Sequence, residues 1–141
     1  GFECRHNLGY WSDVPYLGFG LNSSSYIKNI RLKNKVRFND YIALDYKNYM
    51  LSDNQNGYYD EIKMIDEKEH MNEYTMLGFR KTTGINIDDF YKTFNKEFEE
   101  IYKANIKYYR SMELLCKKDN NYFLSDKGLD ISNKIIADFM Q

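Results

Sequence analysis

The N-terminal segment HNLGYW (6–11) gathers side chains that can bind a flat aromatic ligand. His6 supplies an imidazole nitrogen, which is a ligand for a metal centre such as haem iron. Tyr10 and Trp11, the only tryptophan of the chain, offer ring faces for stacking and polar tips for hydrogen bonding. The alternative is structural: His6 and Asn7 cap a turn, and Tyr10 and Trp11 pack beneath it. The residues alone leave both interpretations open.

The cysteines, Cys4 and Cys116, bear on metal chemistry and on the redox compartment. Cys4 lies just before His6 in the chain and can supply a thiolate to haem iron, although a reduced and inert cysteine is the alternative. Cys116 falls in a predicted strand and is expected in the core. Two cysteines cannot form a CxxxCxxC motif, so the chain supplies no iron-sulfur loop of its own. Because no secretory leader is recognisable, we expect the thiols to be reduced and the protein to be cytoplasmic.

Charge and hydropathy disfavour two classes of partner. The chain has 20 Lys and Arg against 21 Asp and Glu, with 43% hydrophobic and 17% aromatic residues. This balance lacks the basic excess that phosphate binding needs, and no apolar run reaches the roughly 18 residues of a membrane span. We therefore expect neither nucleic acid nor a membrane span. The aromatic content predicts a chain that buries a substantial core.

Periodicity and turn signals predict an α+β fold that is mainly helical. In the glycine-rich segment before residue 35, only 16–21 is expected to form a short strand. The further expected elements are a helix from Asn39 to about Tyr49, a polar loop at 52–57, an extended segment at 62–65, helices at 67–80, 87–94 and 98–112, strands at 114–117 and 122–124, and a last helix. Asn39, Asn86 and Ser125 are the expected N-caps of their helices. The order helix, short helix, longer helix, hairpin, helix is that of a winged-helix-like module.

Charged residues along the predicted helices receive structural interpretations. His70 follows the charged run 66–69 and is expected on a solvated helix face. Asp88 and Asp89 are adjacent and do not face each other, so they are expected to complement the positive end of a helix dipole. The segment 97–110 carries as many carboxylates as cations. Because binding to DNA phosphates needs an excess of cations, we do not expect this helix to bind DNA.

Several motifs, in order along nearly the whole chain, carry a family resemblance. They are GFECRHNLGYW (1–11), YLGFGLNSSSY (16–26) with Arg31 and Asn34 after it, MLGFRKTTGINIDDF (76–90) and FLSDKGLDISNKIIADF (123–139). Together they resemble the region that follows the catalytic core in the oxygen-independent coproporphyrinogen III oxidase-like radical SAM proteins. The HNxxYW signature is similar to that of the HemW-type haem chaperone branch.

The resemblance implies a parent protein larger than this chain. Family members carry a partial β/α barrel whose CxxxCxxC loop binds a [4Fe-4S] cluster with S-adenosylmethionine, and a C-terminal domain that covers the barrel. By this resemblance, residues 1–60 are the tail of the radical SAM core, a glycine-rich segment from the barrel edge with a connecting helix. Residues 61–141 are the helical, winged-helix-like C-terminal domain. The cluster and S-adenosylmethionine then belong to the parent only; the fragment alone is not expected to be an enzyme, although the parent resembles one.

The resemblance also implies a haem site. Carried over to this chain, His6 is the expected axial ligand of the haem iron, and Asn7, Tyr10 and Trp11 line the site. A second expectation is a cofactor or substrate pocket near the barrel mouth, formed by Gly18, Gly20, Ser25, Tyr26 and Arg31.

The glycine segment departs from the family pattern at two positions. Leu21 stands where a small residue is usual and narrows any close contact. Asn29 stands where glycine is common, and Asn still tolerates a positive φ. A glycine turn needed for packing is the alternative to a pocket. Arg31 and Asn34 are expected to anchor the segment or to meet the propionate groups of haem.

The expected function is that of a haem chaperone-like C-terminal domain, which covers the barrel and contributes to haem binding and transfer. The expected partners are the N-terminal radical SAM barrel, haem and haem-accepting proteins, with self-association through the surface that the barrel would cover. The alternatives are an oxygen-independent coproporphyrinogen III dehydrogenase domain in porphyrin biosynthesis and a winged-helix nucleic-acid-binding module.

Overall fold

A computed structural model describes residues 4–44 and 58–140, so the predicted helix end near Tyr49 and the loop 52–57 lie outside the described residues. The helices are α1 (Arg5–Trp11), α2 (Phe38–Ile42), α3 (Glu67–Gly78), α4 (Ile87–Phe94), α5 (Phe98–Ile101), α6 (Lys103–Ser111), α7 (Asp126–Asp130) and α8 (Ser132–Phe139). The strands are β1 (Ser24–Ile27), β2 (Ile30–Asn34), β3 (Tyr59–Met64), β4 (Ile85–Asn86), β5 (Leu115–Lys118) and β6 (Asn121–Leu124). The predicted α+β class is confirmed. Among the described helices, none is long and apolar enough to cross a membrane.

The chain divides into two compact units. The helical unit contains the chain up to Val14 and from Glu67 onward, and the sheet unit contains Pro15–Asp66. The helical unit therefore includes α1, although α1 precedes the whole sheet unit in the sequence. The division of the chain at residue 60 that the resemblance implies stays a prediction.

The sheet unit is built on a three-stranded antiparallel sheet in the order β1-β2-β3. Lys28 and Asn29 form the turn between β1 and β2, with φ angles of 49° and 61°. Positive φ at both positions is typical of a two-residue type I′ hairpin turn, and Asn accepts it readily. The expectation that only 16–21 would be extended was wrong, since Tyr16 makes one isolated bridge to Tyr26 whereas β1 and β2 form full strands.

The helical unit encloses an aromatic core. Besides its helices, this unit contains a second three-stranded sheet in the order β4-β6-β5. Phe90 and Phe98 are fully buried, and their ring centroids lie 5.2 Å apart in an edge-to-face arrangement. Tyr102 and Phe139 continue the cluster with a centroid distance of 5.3 Å. Such ring pairs add directional attraction to the burial of apolar surface, so the aromatic content of the chain is used here for packing.

Both predicted N-caps of the C-terminal helices are confirmed. The Asn86 Oδ1 accepts hydrogen bonds from the backbone N–H groups of Asp88 and Asp89 at 3.0 and 3.1 Å. The Ser125 Oγ accepts one from the Gly128 N–H at 3.1 Å. Each cap satisfies donors that the first turn of a helix leaves without partners. The two aspartates lie in the first turn of α4, where their charge complements the helix dipole.

Helix boundaries differ from the predicted ones at several points. Arg37 is the N-cap residue of α2, so the predicted cap Asn39 lies inside the helix. The predicted helix 98–112 is two helices, because Tyr102 leaves helical geometry with φ −103° and ψ 20°. Ile131, with φ −116° and ψ 23°, separates α7 from α8 in the same way.

The apolar periodicity of the helices also predicts Tyr91, Met112 and Leu129 on buried faces, but these residues lie at the surface. Tyr91, Met112 and Leu129 are 46%, 50% and 43% exposed. In α4 the buried face is carried by Phe90 and Phe94. Residues four apart share one side of a helix, whereas Tyr91 is rotated by about 100° from Phe90, which turns its side chain outward.

Candidate functional site

The HNLGYW segment forms helix α1, so its candidate ligand residues lie within a helix rather than at a capped turn. Cys4 is the N-cap residue of α1, and its side chain makes no capping hydrogen bond. His6 and Tyr10 are one helical turn apart, with ring centroids 4.8 Å apart and ring planes at 87°. This edge-to-face contact orients the exposed imidazole of His6 against the phenol ring.

Asn7 and Trp11 occupy the neighbouring face of α1 and line a cavity of about 430 Å³. Successive residues of a helix are rotated by about 100°, which separates this pair from His6 and Tyr10. The volume lies within the roughly 300–1,000 Å³ that small-molecule sites occupy. The structure therefore brings Asn7 and Trp11 together at a cavity, whereas His6 and Tyr10 are not among its lining residues.

The turn 80–83, which follows α3, forms another wall of this cavity. Arg80 is exposed, and Lys81 is half-buried. Burial lowers the pKa of Lys81, and the negative charge of Asp89 opposes that shift. Thr82 and Thr83 add hydroxyl groups to the same wall. We did not single out any of these residues as a site from the sequence, although all of them lie within the motif 76–90.

Glycines at both ends hold this turn against the core. A Cβ on Gly78 would lie 2.4 Å from the Ile85 Cγ1, and a Cβ on Gly84 would lie 1.9 Å from the backbone oxygen of Tyr122. Gly84 also has φ +71°, which side-chain-bearing residues rarely adopt. Phe79, at the start of the turn, is 1% exposed. The cavity wall is thus presented by a segment packed against buried residues on either side.

The end of α1 is joined to α3 by a pair of polar side chains. The His70 Nε2 lies 2.7 Å from an Asp13 carboxylate oxygen, and the His70 ring meets the Phe94 ring edge to face at 4.9 Å. The prediction that His70 lies on a solvated face was wrong, since it is 7% exposed. Burial is tolerated because the carboxylate satisfies the imidazole N–H. Nearby, burial together with the charges of Asp89 and Asp13 raises the pKa of Tyr74 to about 12.

The residues of the predicted glycine pocket form a hydrogen-bonded network inside the sheet unit. The Gly18 N–H donates to the Ser25 Oγ at 3.0 Å. The Asn34 Nδ2 donates to the backbone oxygens of Gly18 and Gly20 at 3.3 and 3.0 Å and to the Ser23 Oγ at 2.9 Å. Asn34 therefore anchors the glycine segment, which is the first of the two roles expected for it. The network favours packing as the role of these glycines.

Tyr26 and Arg31 lie opposite each other in the register of β1 and β2. The buried Tyr26 donates its hydroxyl proton to the Asn29 Oδ1 at 3.1 Å. Arg31 is half-buried and also pairs in register with Lys63 of β3. Both residues are therefore part of the sheet, in a different unit from the cavity beside α1.

A second cavity, of about 700 Å³, lies beside α5 and α6 and is lined by both carboxylates and cations. The Lys117 Nζ donates to Glu99 at 2.7 Å, and the Tyr122 hydroxyl also donates to that carboxylate. These hydrogen bonds, that of Lys117 first, lower the pKa of Glu99. The cavity also contains Lys103 and Arg110, for which no ion pair occurs within the described part of the chain. Its mixed charge does not form a uniform basic surface.

Metal ligation by clustered side chains finds no support in residues 4–44 and 58–140, where no group of three His, Cys, Asp or Glu residues is placed to hold an ion. Cys4 is exposed and Cys116 is half-buried, and both are free thiols.

Comparison with known proteins gives this geometry a family context. Residues 65–131 match the family model described as the HemN C-terminal domain. The haem chaperones HemW of Lactococcus lactis and of Bacillus subtilis are each 26% identical to this chain over 140 residues, which is 99% of the chain. A putative HemW-like protein of Buchnera aphidicola is 28% identical over 141 residues. The chain spans 35% of the length of these relatives.

A solved structure shares the fold. Coproporphyrinogen III oxidase (HemN) from Escherichia coli, described as a radical SAM enzyme, superposes with a TM-score of 0.62 and 13% sequence identity. The superposition covers 92% of this chain and 29% of that one. At this identity the likeness concerns the fold alone.

Proposed function

We propose that this chain is the C-terminal part of a haem chaperone-like protein. The premise is its resemblance to the C-terminal part of an oxygen-independent coproporphyrinogen III oxidase-like radical SAM protein of the HemW type, together with the match of residues 65–131 to the HemN C-terminal domain. In this role it covers the barrel of the parent and contributes to haem binding and transfer. The [4Fe-4S] cluster and S-adenosylmethionine belong, in this proposal, to the N-terminal barrel of the parent.

The observation that carries the proposal is the placement of the HNLGYW residues on one short helix, from which Asn7 and Trp11 line a cavity. Haem is an amphipathic cargo with a flat apolar ring, an iron that takes a nitrogen ligand, and carboxylate groups. His6 offers an exposed imidazole, and Trp11 offers an aromatic face at the cavity. Asn7 adds an amide donor at the same cavity. These groups fit the chemistry of a transiently held tetrapyrrole.

The element order of the helical unit supports a winged-helix-like module. Helix α3 is followed by β4, by α4, by α5 with α6, and by the hairpin of β5 and β6, while β4 pairs with β6. We propose that this module is the covering domain and that the glycine segment around Gly18 and Gly20 borders the barrel. The free thiols Cys4 and Cys116 are consistent with a cytoplasmic location.

Nucleic acid remains outside the proposed partners. In the winged-helix interpretation, α6 would be the helix that enters a DNA groove. Glu99 and Glu100 line the same cavity as the cations of that helix, and such carboxylates repel phosphate groups. A DNA mobility-shift assay with a steep salt dependence would reverse this assignment.

The proposal is tested by titrating the chain with haem and following the Soret absorbance. We expect saturable binding that His6→Ala weakens about tenfold, or about 1.4 kcal/mol. Arg5→Ala is the matched control, because it alters a neighbouring exposed residue of α1 that carries no proposed haem contact. The absence of a saturable shift, or equal affinity of the wild type and His6→Ala, would remove α1 as the haem-ligating element.

A further inference from the structure

The cavity beside α1 contains hydrogen-bond donors that have no acceptor in the part of the chain that the structure describes. Within residues 4–44 and 58–140, the side chains of Arg80, Thr82 and Thr83 make no hydrogen bond or ion pair. The backbone N–H groups of Thr82 and Thr83 also lack an acceptor in this part of the chain. Lys81, half-buried at the same wall, has no carboxylate within ion-pair distance among the described residues. Two cations and several N–H and O–H donors thus converge on one cavity.

The α1 wall of the cavity has a different character. Leu8 and Trp11 contribute an aliphatic and an aromatic surface, and both are half-buried there. Asn7 and Ser12 add polar side chains to the lining on this side. An apolar wall facing a cationic one suits a ligand with an apolar body and a negatively charged edge. A fully hydrated inorganic anion would leave the apolar wall unused.

We propose that this cavity binds the carboxylate edge of a tetrapyrrole, with Arg80 and Lys81 pairing with its carboxylates and Trp11 contacting the adjoining ring. This assignment rests on the proposed function and names the residues that recognise the acidic side of the cargo. The guanidinium of Arg80 can bind a carboxylate through two parallel hydrogen bonds. The hydroxyl and backbone donors of Thr82 and Thr83 supply further hydrogen bonds to the second oxygen or the second carboxylate.

The turn is suited to this role because it is held at both ends. Gly78 packs against Ile85, and Gly84 packs against the backbone of Tyr122, so the donors between them are presented by a supported segment. A pre-organised set of donors loses little conformational freedom when the ligand binds. Arg31 and Asn34, the residues that the sequence suggested for the propionate groups, both belong to the sheet unit.

The test measures dissociation constants for haem, for haem dimethyl ester and for iron-free protoporphyrin IX. The wild-type chain is compared with the double variant Arg80→Gln/Lys81→Gln. Its matched control is Lys103→Gln/Arg110→Gln, which removes the same charges from α6 at the other cavity. Circular dichroism checks that each variant is folded.

We expect the double variant to weaken the binding of haem and protoporphyrin about tenfold or more, since hydrogen bonds to charged groups are lost. The dimethyl ester should bind the wild type correspondingly less well, and the double variant should bind ester and acid alike. Trp11 is the single tryptophan, and protoporphyrin should quench its fluorescence at lower concentrations in the wild type than in the double variant. The control variant should match the wild type.

The outcomes separate this inference from the proposed function. In one outcome, haem binding requires His6 and yet is unchanged by esterification and by Arg80→Gln/Lys81→Gln. That result would overturn the carboxylate site but would not contradict the proposed function. Charge-dependent binding of protoporphyrin with no effect of His6→Ala on haem would support the carboxylate site and contradict iron ligation by His6. No binding of any of the three tetrapyrroles would overturn both.

Discussion

His70 and Asp13 are 57 residues apart in the sequence, and their side chains meet at 2.7 Å inside the helical unit. The pair fastens the end of α1 to α3. A helix as short as α1 is not stable in isolation, so its position beside the turn 80–83 depends on such tertiary contacts. The site proposed for haem is therefore assembled from two distant stretches of the chain.

Removing either partner of this pair should destabilise the helical unit. We expect His70→Ala and Asp13→Ala each to lower the free energy of unfolding by about 1–3 kcal/mol, because the remaining partly buried polar group loses its hydrogen bond. In a double-mutant cycle from urea unfolding, the coupling should be about 0.5–3 kcal/mol. Asp13→Asn is the control: Asn tolerates the φ of 57° at this position and retains a hydrogen-bond acceptor. Additive single-variant effects would show that the pair contributes no coupling.

Substitution of Gly84 should be among the most damaging single changes in the chain. In Gly84→Ala the new methyl group meets the Tyr122 backbone oxygen at 1.9 Å, and the residue is held at φ +71°. Since backbone cannot move aside cheaply, we expect a loss of about 3–5 kcal/mol in thermal or urea unfolding.

Gly9→Ala is the matched control for Gly84→Ala. Gly9 lies within α1, and a Cβ there meets no atom within 4 Å. Alanine favours helix over glycine by up to about 1 kcal/mol, so this variant should be as stable as the wild type or more so. Equal losses in the two variants would contradict the packing described for the turn.

Tyr74 should make the stability of the helical unit fall at high pH. Burial raises its pKa from 10.0 to about 12, with Asp89 and Asp13 adding to the shift. The folded state thus holds the phenol proton more tightly than the unfolded state. The resulting stability is fully present below pH 10 and is lost as the pH rises towards 12.

Ultraviolet titration of the phenolates tests this expectation. Tyr74→Phe should remove one tyrosine from the phase near pH 12, where burial and the hydrogen bond to Asp138 also place Tyr109. Tyr109→Phe is the parallel variant, and it should also remove one tyrosine from that phase. If Tyr74→Phe instead removed a tyrosine that titrates near pH 10, Tyr74 would not be buried as described.

Lys117 should keep the pKa of the Glu99 carboxyl below its ordinary value. The hydrogen bond from Lys117 is the largest cause of its lowered pKa, followed by that from Tyr122. Its contribution to stability is present above the ordinary pKa of 4.5 and is lost as the pH falls through the lowered value in the folded state. Lys117→Gln should raise the pKa of Glu99 in an NMR titration of carboxyl carbons. Lys118→Gln, one residue further along β5, should leave it where it is in the wild type.

Local features of the helical unit were predictable because neighbours in sequence make them. Asn86 and Ser125 cap helices through N–H groups two or three residues away. Phe90 and Phe94 share a helix face because they are four residues apart. The HNLGYW motif indicated the family resemblance for the same reason, because a run of side-chain types can be recognised without knowledge of the fold.

Contacts between segments that are distant in sequence became visible when the chain was seen folded. Nothing near His70 in the sequence indicates that Asp13 would meet it, so its charged neighbours suggested a solvated face. The strands β1 and β2 were not predicted, because their serine-rich sequence is typical of a turn. They form part of a three-stranded sheet in which β3 is the third strand. The family likeness, the caps Asn86 and Ser125 and the candidate ligands of α1 can be recognised in the amino-acid sequence alone. Which of those ligands face a cavity, and that Arg80 and Lys81 face it with them, depended on long-range packing, which leaves no periodic signal in the chain.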